Sequence, residues 1–198
     1  MTDFSDAHAV QTLEALSALY PRPSEDVTLK VIDHFDDHLR RALMLSPLCF
    51  LATANREGQL DCSPRGDAHS AVQIQDNYTL LLPDRPGNNR LDSLHNIVQN
   101  PEVGLIFLLP GVNEVVRVNG VAHVSTDPTL LERFRLNGLL PRTVVVVRVR
   151  EAFIHCPRAF HSVQLWNPER HLKPGQSLDF VAMYEAHKKL NSGDGADR

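Results

Sequence analysis

Between residues 24 and 46 the apolar positions fall four apart, and from residue 48 onward they fall two apart. Val27, Val31, Phe35, Leu39 and Leu43 trace one face of a helix that must stop before Pro47. Ser24 stands where an N-cap belongs, with Glu25 and Asp26 in the first turn. Upstream, "TLEALSALY" predicts a short amphipathic helix closed by Pro21 and Pro23. After Pro47 the strands begin. "LCFLATA" and "QLDCS" flank the turn "NREG", and "AVQIQ" and "YTLLLP" flank "DN", so two hairpins are expected.

A helix at about 89–99 is followed by "VGLIFLL", an unbroken apolar run suited to a strand buried on both faces. "EVVRVNGVAHVS" alternates, with Val116, Val118, Ala122 and Val124 opposing Arg117, Asn119, Val121 and His123. "DPTLLERFRLNG" predicts a short helix with Asp127 as cap and Gly138 as stop. "TVVVVRVREAF" is a strand rich in β-branched residues. "PRAFHSVQLW" and "SLDFVAMYEAHKKL" predict helices, and "NSGDGADR" should fray. Six or seven antiparallel strands with few helices predict a mainly β fold with peripheral helices. Its form is a small barrel, because closure removes sheet edges. The expected organisation is a single domain, made of a helical extension over residues 1–46 and a barrel with C-terminal helices over 47–198.

Composition narrows the class. The chain has 198 residues, 42% of them hydrophobic and 22% charged, which is ordinary for a globular protein. A net charge of −4 argues against a nucleic-acid partner while leaving room for a local basic pocket. No apolar run approaches the roughly 18 residues of a membrane span. The N-terminus has no signal pattern. Cys49, Cys62 and Cys156 lack zinc-site spacing and fit a reducing, cytoplasmic setting.

The densest chemistry lies in "LLLPDRPGNNRLDSLHNI", residues 80–97. Gly87 permits a bend, Asn88 or Asn89 can cap the helix of residues 90–99, and Arg85 and Arg90 flank its start. A phosphate monoester is well met by helix N-terminal amides, a bent loop and guanidinium forks. The same residues also suit a solvated loop with an Asn cap and two surface arginines. A second cluster, "DCSPRGD" at residues 61–67, sets Ser63, Arg65 and Asp67 at a strand end, with Pro64 and Gly66 making the turn. Arg65 beside Asp67 could be a plain surface ion pair. Two arginine-bearing turns at strand ends of one barrel are what an anionic ligand at its rim would require.

From about residue 47 to 125 the chain resembles the pyridoxamine 5′-phosphate oxidase-like family of split-barrel flavoproteins. The features that carry the resemblance are "FLATANREGQLDCSPRGD", "LLLPDRPGNNRLDSLHNIVQNPEVGLIFLLPG" and "EVVRVNGVAHV". The "SPRGD" and "DRPGNNRLDSL" forms resemble those of a subgroup regarded as FMN-dependent enzymes (FMN, flavin mononucleotide). The resemblance implies a six- to seven-stranded antiparallel split β-barrel whose two turns hold the FMN phosphate and ribityl chain. The implied cofactor residues are Ser63, Pro64, Arg65, Gly66 and Asp67 in one turn. In the other they are Leu82, Pro83, Asp84, Arg85, Asn88, Asn89 and Arg90. Where the true oxidase has a serine–arginine–lysine run, this chain has Pro86 to Arg90, so the phosphate role passes to Arg65, Arg85, Asn88, Asn89 and Arg90. The oxidase's C-terminal arginine pair, which meets the pyridoxal substrate, has no match in "LWNPERHLKPGQSLDF".

In that family the segment after the last long strand approaches the flavin ring, often from the second subunit, which implicates Arg158, Ser162 and Trp166. Phe160 and Trp166 equally suit barrel packing. The resemblance implies a homodimer with the cofactor at the subunit interface and an FMN-dependent oxidoreductase acting on a small molecule. Two other readings use the same barrel. One is a haem-binding or haem-degrading relative, with His69, His155 or His161 as axial ligand; the other is a non-catalytic, stress-related flavin module. A deazaflavin could also replace FMN. "HFDDH" sets His34 and His38 one helical turn apart, but without H-E-x-x-H no metal is expected. Cys62 is expected to be a buried, inert thiol.

Overall fold

A computed structural model of the chain describes residues 6–173, 175–176 and 178–192. The hairpin signal around "NREG" is realised as β1 (Leu48–Ala54) paired with β2 (Leu60–Gly66), Leu48 opposite Gly66 and Ala54 opposite Leu60. The second hairpin is β3 (Gln73–Ile74) with β4 (Thr79–Pro83). Three long strands follow: β5 (Glu102–Leu108), β6 (Val115–Ser125) and β7 (Val144–His155). All seven pair antiparallel in the order β2-β1-β5-β6-β7-β4-β3, and the sheet is that of a mainly β split barrel.

Alternation fills the interior. Cys49 and Leu51 from β1, Leu80 and Leu82 from β4, Leu105 and Phe107 from β5, and Val118, Val145 and Val147 share one buried cluster. Burying each such side chain contributes about 1.5–3 kcal/mol. β5 departs from the expectation of burial on both faces: Val103, Leu105 and Phe107 point in, whereas Glu102 and Ile106 are exposed. An antiparallel sheet needs only one covered face, so the outer one is left open within this chain.

The N-terminal stripe is not one helix. α1 (Leu13–Leu19), capped by Thr12, is followed by α2 (Glu25–Leu29) and α3 (Asp37–Met44). Ser24 occupies the N-cap position of α2 but makes no side-chain cap bond. Between α2 and α3, Ile32 exchanges two backbone hydrogen bonds with Ala152 of β7, of 3.1 and 2.7 Å. Pairing with an available strand satisfies backbone groups that a helix would otherwise satisfy internally. Asp36 restarts the helix by accepting from the Leu39 amide at 2.8 Å. The stripe therefore splits: Phe35, Leu39 and Leu43 enter the barrel core, while Val27 stays exposed.

α4 (Asp92–Gln99) leads into β5, and α5 (Pro128–Arg133) links β6 to β7 with Asp127 as its cap. α5 ends at Phe134. Gly138, expected as its stop, instead turns the chain at φ +79° between Leu136 and Leu139. The chain forms two compact units, divided after Arg158. The second holds most of α6 (Arg158–Val163), a short 3₁₀ turn (Pro168–Arg170) and α7 (Phe180–Asn191), whose Asp179 cap accepts from Ala182. Both helices expected from the sequence are present; the expected fraying of the last residues lies mostly outside the described ones. Among the described residues no helix is long and apolar enough to cross a membrane.

Three expected outcomes follow from the packing. The register of β6 against β7 shifts between Asn119 and Gly120, and a Cβ on Gly120 would sit 2.2 Å from the Arg148 carbonyl oxygen. Gly120→Ala should therefore cost about 1–3 kcal/mol or more, measured by urea denaturation. Burial pushes the Cys49 thiol up to about 12, with Arg65 pulling weakly the other way, whereas Cys62, contrary to expectation, and Cys156 are exposed. An alkylating reagent at about pH 8 should label Cys62 and Cys156 and spare Cys49, as read by mass spectrometry. Below its ordinary value of 9.0 the Cys49 thiol is neutral in both states. As the pH climbs from there toward 12 the unfolded thiol ionises and the native one does not, so stability should fall.

Candidate functional site

β2 carries the site's polar face. Its period of two turns Asp61, Ser63, Arg65 and then Asp67 inward, each half-buried, and leaves Cys62, Pro64 and Gly66 exposed. Pro64 is tolerated because β2 is an edge strand with no ladder on its outer side. Half-buried carboxylates and guanidiniums need partners, and those partners come from the loop after β4 and the first turn of α4.

The pairing crosses over. Arg65 Nη1 donates to Asp84 Oδ1 at 3.0 Å, and Arg85 donates to Asp67 Oδ2 through Nε at 2.9 Å and Nη2 at 2.5 Å. Each turn thus supplies the counter-ion for the other turn's arginine, and the alternative of a plain Arg65–Asp67 surface pair is not formed. Arg85 also donates to the Phe134 carbonyl at 2.5 Å, tying the same turn to the end of α5. Ser93, buried in the first turn of α4, knits the remainder. Its hydroxyl lies 2.5 Å from Asp61 Oδ2 and 2.9 Å from Ser63 Oγ, and accepts from Arg65 Nη2 at 2.8 Å.

The loop between them is differently arranged from the expected helix cap. α4 begins at Asp92 with Leu91 at its N-cap, so neither Asn88 nor Asn89 caps it. Asn88 Oδ1 accepts from the Arg90 amide at 3.0 Å, a local turn, and Asn89 takes a left-handed φ of +58°. Arg90 Nε donates to Asp92 Oδ2 at 2.5 Å, with 79% of its side chain exposed. That hydrogen bond to Asp92 raises its pKa further above the ordinary arginine value. Among the described residues, the amides of Gly87, Asn88 and Asn89 donate no hydrogen bond within the chain.

These elements enclose a cleft of about 910 Å³, within the usual range for ligand sites. Ser63, Pro64, Arg65, Gly66, Leu82, Pro83, Asp84, Arg85, Asn88, Asn89 and Arg90 all line it. Asp67 is not in its wall and acts by holding Arg85. The two motif turns, with Arg65 and Asp84 19 residues apart in the chain, are joined into one site.

Ser162 and Trp166 belong to the second unit, where Ser162 Oγ donates to the Ala159 carbonyl at 2.9 Å and Trp166 stacks on Phe160 with centroids 6.5 Å apart. Arg158 opens α6 and is exposed. His34 precedes α3 and its Nδ1 pairs with Asp33 Oδ1 at 2.9 Å, so it does not share a helix face with His38. Among the described residues no three potential ligands gather for a metal.

Sequence reasoning missed Asp61, Ser93, Arg142 and Thr143 as wall residues. The alternation of β2 could have exposed Asp61, and a serine in a helix's first turn could have flagged Ser93. Arg142 and Thr143 carry no local signal.

A family model described as pyridoxamine 5′-phosphate oxidase matches residues 35–156, more than half of the chain. No curated protein sequence matches. Among solved structures, HupZ of Group A Streptococcus superposes with a TM-score of 0.50 at 16% identity, covering 61% of this chain and 93% of that one. A variant of the same protein reaches 0.51 at 16% identity, with 61% and 98% covered. A Clostridium acetobutylicum protein of the pyridoxinephosphate oxidase family, related to general stress protein 26, gives 0.42 at 10% identity, covering 56% and 80%. At these identities the HupZ likeness is one of fold.

The crossed pairs are sheltered: the side chains of Arg85 and Asp67 are 25% and 16% exposed. Arg85→Ala should cost about 1.5–3 kcal/mol, the scale for hydrogen bonds to charged groups. A double-mutant cycle with Asp67→Asn should give a coupling of about 1 kcal/mol or more, measured by denaturant unfolding. A coupling near zero would mean an ordinary solvated pair.

Proposed function

The chain belongs to the pyridoxamine 5′-phosphate oxidase family, and we propose that it is a flavoprotein that holds FMN in this cleft and works as an FMN-dependent oxidoreductase on a small molecule. The observation that carries the reading is the convergence of both arginine-bearing turns on one cleft of ligand size.

The donor set suits a phosphate monoester. Arg65 and Arg85 are held in place by Asp84 and Asp67, so little side-chain freedom is lost when they meet an anion. Arg90 is tethered only to Asp92 at the surface and can swing to a ligand. The uncommitted amides of Gly87, Asn88 and Asn89 add donors of the kind that cradle phosphates. Leu82 and Pro83, both buried, give an apolar floor.

Bound FMN would supply the redox chemistry, accepting and passing on a hydride or electrons. The chain's share is to bind, orient and shield, which is consistent with a cleft whose titratable groups are arginines and aspartates, most of them paired with one another. A homodimer belongs to the same reading: the outer face of β5 exposes Ile106, and an isologous pairing over the sheet would cover it and give two equal sites. Within the first unit the haem reading gains nothing from the geometry, because His69 and His155 are absent from the cleft's wall.

The test is spectroscopic and then quantitative. Purified protein should show flavin absorption bands, or take up FMN with quenching of its fluorescence; a Soret band instead would overturn the reading. FMN should bind more tightly than riboflavin, which lacks the phosphate. Arg90→Ala should weaken FMN about 10-fold or more, the equivalent of one charge-assisted hydrogen bond, and leave riboflavin unchanged. His34→Ala, outside the cleft, should alter neither.

A further inference from the structure

The segment between α5 and β7 supplies a wall of the cleft that neither motif turn builds. Its tip, Leu136–Asn137–Gly138–Leu139, is a two-residue hairpin. The Leu136 and Leu139 amides each donate to the other's carbonyl at 2.9 Å, and Asn137 and Gly138 take φ of +50° and +79°. Positive φ at both central residues matches the twist of a β-ribbon, and Asn-Gly adopts it readily. Arg135 staples the tip, donating to Glu132 at 2.6 and 3.0 Å and to the Gly138 carbonyl at 3.0 Å. The base is fixed on both sides. The Phe134 carbonyl accepts from Arg85, the Thr143 carbonyl accepts from the Asp84 amide, and Phe134 and Pro141 are buried.

This stiff hairpin delivers apolar side chains to the cleft. Leu139 and Leu140, 68% and 37% exposed, both line it, and Leu91, 41% exposed, lines it from the loop before α4. A single exposed leucine needs no explanation. Leucines held on fixed backbone in the wall of one ligand-sized cleft do, because they cannot fold back into a core and water against them is unfavourable. The same cleft carries arginines and aspartates on its motif turns. A purely aliphatic ligand would strip water from those charges without replacing it. An aromatic ring with polar groups at its edge answers both walls, since its faces are apolar and its rim can hydrogen-bond.

We infer that Leu139 and Leu140 are specificity-determining residues of the cleft, packing on the face of a planar aromatic ring, with Leu91 adding to the apolar contact. Two sources supply such a ring: the flavin, in which case the inference rests on the proposed function, and an aromatic substrate. The contact is the same for both.

The test uses the full chain and three probes: FMN, riboflavin and 2-naphthol, a flat neutral ring with one polar edge. Leu139→Ser and Leu140→Ser are compared with wild type, and each should melt where wild type does, because neither leucine belongs to the core. If the ring is the flavin's, both flavins should weaken together by about 10-fold or more, leaving the FMN-to-riboflavin ratio unchanged. If the ring is a substrate's, flavin affinities should hold while 2-naphthol uptake by the FMN-loaded protein, read by equilibrium dialysis, falls by a similar factor. Leu139→Met, still apolar and of similar size, should keep whichever ligand Leu139→Ser loses. Gly138→Val, which cannot hold the left-handed turn without strain, should weaken the same ligand while leaving both leucines in place. Serine variants that bind all three probes as wild type does overturn the inference. So does a loss confined to FMN, since riboflavin has the same ring. A wild-type protein that takes up 2-naphthol through these leucines yet binds neither flavin would sink the flavin reading and leave the apolar wall standing.

Discussion

A half-buried polar face on an edge strand has to be answered from somewhere, and in this protein the answer organises everything around it. Asp61, Ser63, Arg65 and Asp67 point inward from β2 and its end, where water cannot fully solvate them. The loop after β4 and the start of α4 close over that face and satisfy it through Asp84, Arg85 and Ser93. Unpaired, any one of these charges would cost several kcal/mol. Paired across, they fix the end of one strand against the end of another, and the space left between them is the cleft.

The pairing also shapes what the cleft can do. Guanidiniums held by carboxylates are preorganised, with little side-chain freedom left to lose. The two turns set the geometry, and Arg142, on the loop before β7, lines the same cleft with no ion pair among the described residues. Arg85 joins the turns to α5, because it holds Asp67 with one edge and the Phe134 carbonyl with another nitrogen. A disturbance of α5 therefore reaches the wall of the cleft through a single side chain. The barrel core behind is dry and apolar, from Leu51 and Phe107 to Val147, and a close-packed interior of that kind resists deformation. Adjustment to a ligand falls instead to the exposed loop of residues 86 to 91 and to Arg90 at its end.

The amino-acid pattern by itself determined the seven strands, both hairpins and the two C-terminal helices, because burial with a period of two, a turn and a cap are local properties. It also marked Arg65, Arg85, Asn88, Asn89 and Arg90 as the chemistry of one site, through two motifs that could be read without knowing how they meet. What it could not carry was whatever depends on a distant partner. The helix stripe from Val27 to Leu43 is continuous in sequence, and it breaks because Ile32 finds the backbone of Ala152. Arg65 stands two residues from Asp67, yet a strand sends the pair's side chains to partners in another turn, Asp84 and Arg85. Ser93 and Thr143 are unremarkable in their own segments; the first became the hub of a network and the second an orphaned hydroxyl only when the sheet curled. Local periodicity decides which face of an element is buried, but only tertiary closure decides what that face is buried against.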